Sequence, residues 1–223
     1  MWILKDGFLH DDEFPFLNFV TTRSSGDMKD PAARQKACSL NNINPDPVVY
    51  AEQVHGNIVA AAGVKDAGTF VKSADGLITA EKNLALAVFT ADCLPVFLGA
   101  EGKAAGIVHA GWRGVFKRIL PEAVKLFEKE FNVSAGDITA SIGPHVCSRC
   151  YRIGDEIRKA FGLSAAETNF DLAGEAVSQL ESSGIKNVSV CGRCTCHEGE
   201  LFFSYRRDKV PARMMSLIQI ATR

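Results

Sequence analysis

Short apolar runs separated by turn residues dominate the centre of the chain. Val48–Val54, Ile58–Ala62, Ala74–Thr79, Leu84–Thr90, Leu94–Leu98 and Ala104–His109 are β-branched or small-apolar stretches of strand length. Between 115 and 131 the period changes. Val115, Ile119, Leu120, Val124, Leu126, Phe127 and Phe131 recur near helical spacing, with lysine and glutamate on the opposite face. Pro121 inside that stretch predicts either a kink or the first turn of a second helical piece. Gly154–Phe161 and Leu172–Leu180 are further helical candidates. Ile138–Ile142, Val188–Cys191, Leu201–Tyr205 and Met214–Ile220 are predicted as strands. No repeat, low-complexity tract or linker divides the chain. The expectation is one α+β domain over residues 1–223, with mixed β-sheets packed against helices.

Composition narrows the function. The chain has 223 residues, 47% hydrophobic and 23% charged, which is ordinary globular usage. With 25 basic and 26 acidic residues the formal net charge is −1, so no electropositive face is available for nucleic acid or an anionic membrane. A small-molecule partner is expected. Met1-Trp2-Ile3-Leu4-Lys5-Asp6 becomes charged too early for an export signal. The most apolar stretch, Leu84 to Ala100, is interrupted by Asp92 and Pro95 and falls short of the ~20 residues of a bilayer span. A cytoplasmic protein follows as the expectation, and in a reducing compartment its seven cysteines are ligands, nucleophiles or buried thiols rather than disulfides. Near-neutral charge leaves the oligomeric state open.

Three segments carry candidate chemistry. Gln53-Val54-His55-Gly56, Thr90-Ala91-Asp92-Cys93 and Val108-His109-Ala110-Gly111-Trp112 each place one metal-ligating side chain where an apolar strand runs into a turn. Two imidazoles and a thiolate satisfy three corners of a tetrahedral zinc and leave the fourth open, the pattern of a catalytic site. Satisfied core residues are the plainer alternative. A second group, Cys147-x-x-Cys150 with Cys191-x-x-Cys194-x-Cys196-His197, suits either a structural zinc or buried, reversibly oxidised thiols.

These segments form part of an ordered series: Phe19-Val20-Thr21-Thr22-Arg23-Ser24-Ser25-Gly26, Gln53-Val54-His55-Gly56, Ala74-Asp75-Gly76-Leu77-Ile78-Thr79, Thr90-Ala91-Asp92-Cys93-Leu94-Pro95-Val96, His109-Ala110-Gly111-Trp112-Arg113-Gly114, Ile142-Gly143-Pro144 and Phe202-Phe203-Ser204-Tyr205-Arg206-Arg207-Asp208. The series resembles the signature of the bacterial laccase-domain family, also called polyphenol oxidoreductase-like and linked to purine nucleoside phosphorolysis and deamination. The resemblance implies zinc held by His55, Cys93 and His109. It also implies an enzyme that cleaves purine nucleosides (adenosine, inosine, methylthioadenosine) with phosphate and deaminates adenosine. Two departures stand out: Lys209-Val210-Pro211-Ala212-Arg213 replaces a usual Thr-Gly-Arg segment, and His145–Tyr151 is unusually rich in potential ligands.

For such chemistry Arg23, Arg113 and Arg206 are candidate phosphate ligands, since a guanidinium binds phosphate bidentately; each could equally be a solvated surface arginine. Asp92, next to Cys93, is the candidate for proton transfer or for orienting a ligand imidazole, with a backbone-capping turn aspartate as the bland reading. Trp112 could stack on a purine or fill a half-buried core position. Tyr151 and Ser204 carry modest weight. Three rival functions remain. Two His and one Cys also make a copper site, as in a copper-dependent polyphenol oxidase, although His10, His55, His109, His145 and His197 are few imidazoles for several coppers. Cys93 with His55 or His109 would also make a thiol hydrolase, for example in cell-wall precursor editing. A non-enzymatic nucleoside-binding module is the third.

Overall fold

The continuous apolar runs of the centre lie in strands covered on both faces. The computed structural model describes residues 1–221; the last two residues of the expected 1–223 domain lie outside that range. In chain order the strands are β1 (Trp2–Lys5), β2 (Phe8–Asp11), β3 (Leu17–Thr21), β4 (Val49–Ala51), β5 (Val59–Ala61), β6 (Phe70–Val71), β7 (Gly76–Thr79), β8 (Ala85–Thr90), β9 (Leu94–Ala100), β10 (Ala104–Ala110), β11 (Thr139–Ile142), β12 (Asn187–Val190) and β13 (Met214–Gln219). The helices are α1 (Pro31–Leu40), α2 (Trp112–Phe116), α3 (Ile119–Phe131), α4 (Asp155–Phe161), α5 (Leu172–Ser182) and α6 (Tyr205–Asp208).

The strands form two sheets, ordered β1-β2-β3-β13-β8-β4-β6 and β12-β11-β9-β10-β7-β5. Both are mixed. β4 runs parallel to β6 and β8, β5 to β7 and β11 to β12, while β13 pairs antiparallel with β3 and β8. Successive side chains of a strand point to opposite faces, and here both faces are dry. Leu86, Val88, Met214 and Ile218 of the first sheet meet Leu77, Phe97, Ala105 and Ile107 of the second in one core. Ala85, Ala87, Met215 and Leu217 face the other way, against Ala37 and Cys38 of α1. Leu94, Val96, Leu98 and Val108 turn outward onto α3 and α5. Helix, sheet, sheet and helix are thus stacked as four layers, in agreement with the α+β reading.

The predicted break near Pro121 is real. α2 and α3 are separate, with Arg118 in the left-handed region (φ 66°) between them. Pro121 sits in the first turn of α3, where its missing N–H costs nothing. α3 approaches the sheet closely because β10 carries Gly106. A Cβ there would lie 2.8 Å from Ile78 Cγ2 and 3.0 Å from Phe127 Cε2.

One predicted strand is not formed. Leu201–Tyr205 is a turn leading into α6: the amides of Leu201 and Phe202 both donate to the Glu198 carbonyl, and Ser204 caps the helix by accepting from Arg207 N. Phe202 is fully buried between the sheets, so its apolar signal reflects an anchor rather than a ladder. Among the described residues no helix is long and apolar enough to cross a membrane.

Candidate metal centre

The three predicted ligands come from both sheets. His55 follows β4. Its loop is held by Gln53, whose side-chain amide exchanges two 2.7 Å hydrogen bonds with the main chain of Phe89 at the end of β8. Gln53 and His55 both take positive φ, 61° and 59°, a costly backbone for non-glycine residues that persists only where the surroundings dictate it. Cys93 lies in the turn that carries the chain from β8 in one sheet to β9 in the other, and His109 lies at the end of β10. The ligating atoms of His55, Cys93 and His109 all lie within 4.8 Å of one another. The two imidazole rings meet edge to face, 4.8 Å between centroids.

Asp75 organises this set. Its side chain is fully buried. Oδ1 accepts from His109 Nδ1 at 2.9 Å and from His55 N at 2.9 Å; Oδ2 accepts from Gly56 N at 2.7 Å and Val54 N at 3.2 Å. The bond to Nδ1 leaves His109 Nε2 free to ligate, the usual carboxylate–histidine–metal arrangement. Burial works against the Asp75 carboxylate, but the His109 ring and the Gly56 and His55 amides outweigh it and hold its pKa below the ordinary value. Burial likewise opposes ionisation of Cys93, yet His109 and His55 beside it bring the thiol down to about 6. The thiolate and Asp75 in turn overcome burial at His109 and raise it to about 9.

These residues fit a zinc ion. A thiolate and two imidazoles are the donors zinc takes, and the space among them is kept open by Gly111. A Cβ at Gly111 would lie 3.1 Å from Cys93 Sγ, 3.4 Å from His55 Cδ2 and 3.8 Å from His109 Cε1.

All three ligands line an open cleft of about 570 Å³, whose other walls are Lys29, Glu52, Gln53, Phe89, Thr90, Ala91, Tyr205 and Arg213. Thr90 Oγ1 is buried there without a hydrogen-bond partner. The predicted arginines lie elsewhere. Arg23 pairs with Asp208 at 2.5 Å and covers Phe203. Arg113 pairs with Glu156 of α4 at 2.9 Å and lies over Trp112, 4.4 Å from its centroid. Arg206 lies over Tyr151 at 4.9 Å. Burial raises the pKa of the Tyr151 hydroxyl, the charges of Cys93 and Asp92 raise it further, and Arg206 and Arg113 oppose the rise. Trp112 packs partly buried against the helix-side core.

The Asp92 carboxylate is a junction. It accepts from Thr195 Oγ1 (2.7 Å), Ser204 Oγ (2.6 Å) and Arg206 N (2.7 Å), from a backbone with φ 91°. The carboxylate that reaches a ligand imidazole is instead Asp75. Sequence reasoning did not assign a role to Asp75, Lys29 or Arg213. The signal for Asp75 lay within Ala74-Asp75-Gly76-Leu77-Ile78-Thr79, and for Arg213 within the segment noted for its departure from Thr-Gly-Arg.

Residues 6–221 match the family described as multi-copper polyphenol oxidoreductase laccase. The chain belongs to this family. Among curated relatives, purine nucleoside phosphorylase YlmD of Bacillus subtilis is 32% identical over 239 residues, covering 96% of this chain and 85% of that protein. Purine nucleoside phosphorylase YfiH of Escherichia coli is 34% identical over 198 residues, covering 83% and 78%. The crystal structure of YlmD from Geobacillus stearothermophilus superimposes with a TM-score of 0.91 at 27% identity, over 99% of both chains. The copper in the family's description finds few imidazoles here. Of the five histidines, His10, His145 and His197 do not line the cleft.

Proposed function

We propose that this laccase-domain chain is a zinc-dependent purine nucleoside phosphorylase that also deaminates adenosine. One observation carries the reading: two histidines tied to a buried carboxylate, with a thiolate beside them, face an open cleft lined by Lys29 and Arg213 as well as Glu52. Relatives covering most of the chain carry the name purine nucleoside phosphorylase.

In phosphorolysis an oxygen of phosphate forms a bond to C1′ of the ribose as the C1′–N9 bond breaks, giving ribose 1-phosphate and the free purine. Lys29 and Arg213, which line the cleft, supply positive charge for the phosphate, and Arg213 can bind it bidentately. Phe89 and Tyr205 offer ring faces to the purine. Arg113 on Trp112 and Arg206 on Tyr151 are the second candidates for phosphate and purine. Asp92 holds Thr195, Ser204 and Arg206 in place around the turn that presents Cys93, and is the candidate for moving a proton there. Arg23 orders the α6 segment through Asp208. Zinc, when bound, supplies Lewis acidity at neutral pH. Deamination consumes water and releases ammonia, converting adenosine to inosine in the same cleft.

The test is to incubate zinc-loaded protein with adenosine, with and without phosphate, and identify products by chromatography, using Cys93→Ala as control. Adenine and ribose 1-phosphate should appear only with phosphate, inosine under both conditions, and neither in the control. Absence of turnover under both conditions overturns the reading.

The Cys93–His109–Asp75 alignment also supports a second one, a thiol hydrolase with Cys93 as nucleophile and His109 as base. Protection of Cys93 from alkylation by stoichiometric zinc, with turnover retained, would exclude it.

A further inference from the structure

The turn after β11 and the turn after β12 leave parallel neighbouring strands at the same edge of the second sheet. They bring together side chains that no step above uses. Cys147 and Cys150 come from the first turn, Cys194 and His197 from the second, and their ligating atoms all lie within 4.8 Å of one another. Cys150 Sγ is 3.1 Å from His197 Nε2, Cys147 Sγ is 3.7 Å from His197 Nδ1, and the Cys147 amide donates to Cys194 Sγ at 3.3 Å. In sequence the four are a Cys-x-x-Cys and a Cys-x-x-His pair. Both pairs have the short spacing with which two turns grip one tetrahedral ion. Of the seven cysteines, Cys191 and Cys196 belong to the same stretch of sequence but not to this group. Among the described residues, the cluster whose ligating atoms converge here is Cys147, Cys150, Cys194 and His197 alone.

We propose that Cys147, Cys150, Cys194 and His197 bind a second zinc ion that is structural, independently of what occupies the cleft. Four protein ligands leave no open position for substrate, which separates this site from the three-ligand centre. Its placement gives it a task. Thr195, inside the second turn, donates its hydroxyl to Asp92 at 2.7 Å and its amide to the His145 carbonyl at 3.0 Å. Tyr151, directly after Cys150, carries Arg206 on its ring. An ion at this point would fasten both turns and so fix the support of the Asp92 turn that presents Cys93.

The test measures zinc per chain in protein purified with zinc under reducing conditions. Wild type should hold two ions, Cys93→Ala one, Cys150→Ser one, His197→Ala one, and the Cys93→Ala/Cys150→Ser double variant none. Cys191→Ser should still hold two. Cobalt loaded into Cys93→Ala should show the thiolate charge-transfer and visible ligand-field bands of a tetrahedral sulfur-rich site. If Cys93→Ala binds neither zinc nor cobalt, the proposal is overturned, whether mass spectrometry then finds Cys147 and Cys150 as free thiols or as a disulfide. Should Cys150→Ser fail to fold, the metal content of Cys93→Ala decides alone.

Discussion

Asp75 and His109 meet at 2.9 Å with neither side chain open to water, and the same carboxylate carries the amides of the His55 loop. One residue therefore sets the side chain of one candidate ligand and the backbone of another. Asp75→Asn keeps the shape but offers an NH2 where two of the four donors need an oxygen. Zinc affinity, measured by competition with a chelator, should fall about 10- to 100-fold. Unchanged affinity would mean that the loop and the ring are fixed by packing alone.

Gly111→Ala separates metal binding from stability. Its backbone, φ −76° and ψ 169°, suits alanine, so the metal-free protein should melt at the same temperature or higher, by up to ~1 kcal/mol. The added methyl lies 3.1 Å from Cys93 Sγ, and zinc affinity should drop by about tenfold or more. A drop in metal-free stability instead would place the strain in the fold.

The two cationic groups make opposite predictions for phosphate. If the cleft wall binds it, Arg213→Ala should raise the phosphate KM by roughly 10- to 100-fold, the loss of one charge-assisted contact, with Arg113→Ala near wild type. A raised KM in Arg113→Ala alone would move phosphate out of the cleft to Arg113 and leave the Arg113–Glu156 pair a minor surface contact.

Asp92→Asn should keep its zinc and its shape. It loses acceptor capacity toward Thr195, Ser204 and Arg206, at a cost of about 1–3 kcal/mol. Loss of turnover with a changed pH–rate profile would identify proton transfer; loss with an unchanged profile would identify positioning. Full turnover would remove both roles.

Asp208 predicts an acid limb. Arg207, beside it, holds its pKa down to about 2 against a reference of 3.8. A carboxylate with depressed pKa stabilises the fold above its unfolded pKa, and that stabilisation is lost as pH falls toward the folded value. The melting temperature should therefore decline between about pH 4 and pH 2 more steeply in wild type than in Asp208→Asn.

The sequence made the central strands legible because β8, β9 and β10 are apolar throughout, and the helices because Val124 and Phe127 keep their period. It did not anticipate β1 to β3 or α1. Lys5, His10 and Asn18 interrupt the first strands, and α1 buries only Ala37 and Cys38. Leu201–Phe203 misled because burial of Phe202 looks the same in a turn as in a strand. The candidate metal set was readable as residue types at strand ends. Its organiser was not, since Asp75 is one carboxylate among 26 acidic residues and only the folded chain shows four donors converging on it.

The position of β13 bears on how the protein is made. It lies between β3 and β8, so until residues 214–219 leave the ribosome those two strands have no neighbour on their facing edges. A nascent or truncated chain would present two unpaired apolar edges, the surface on which strands of different molecules add to one another. Assembly of the cleft must therefore wait for residues 214–219, and chaperone demand during translation should track the delay before that strand inserts.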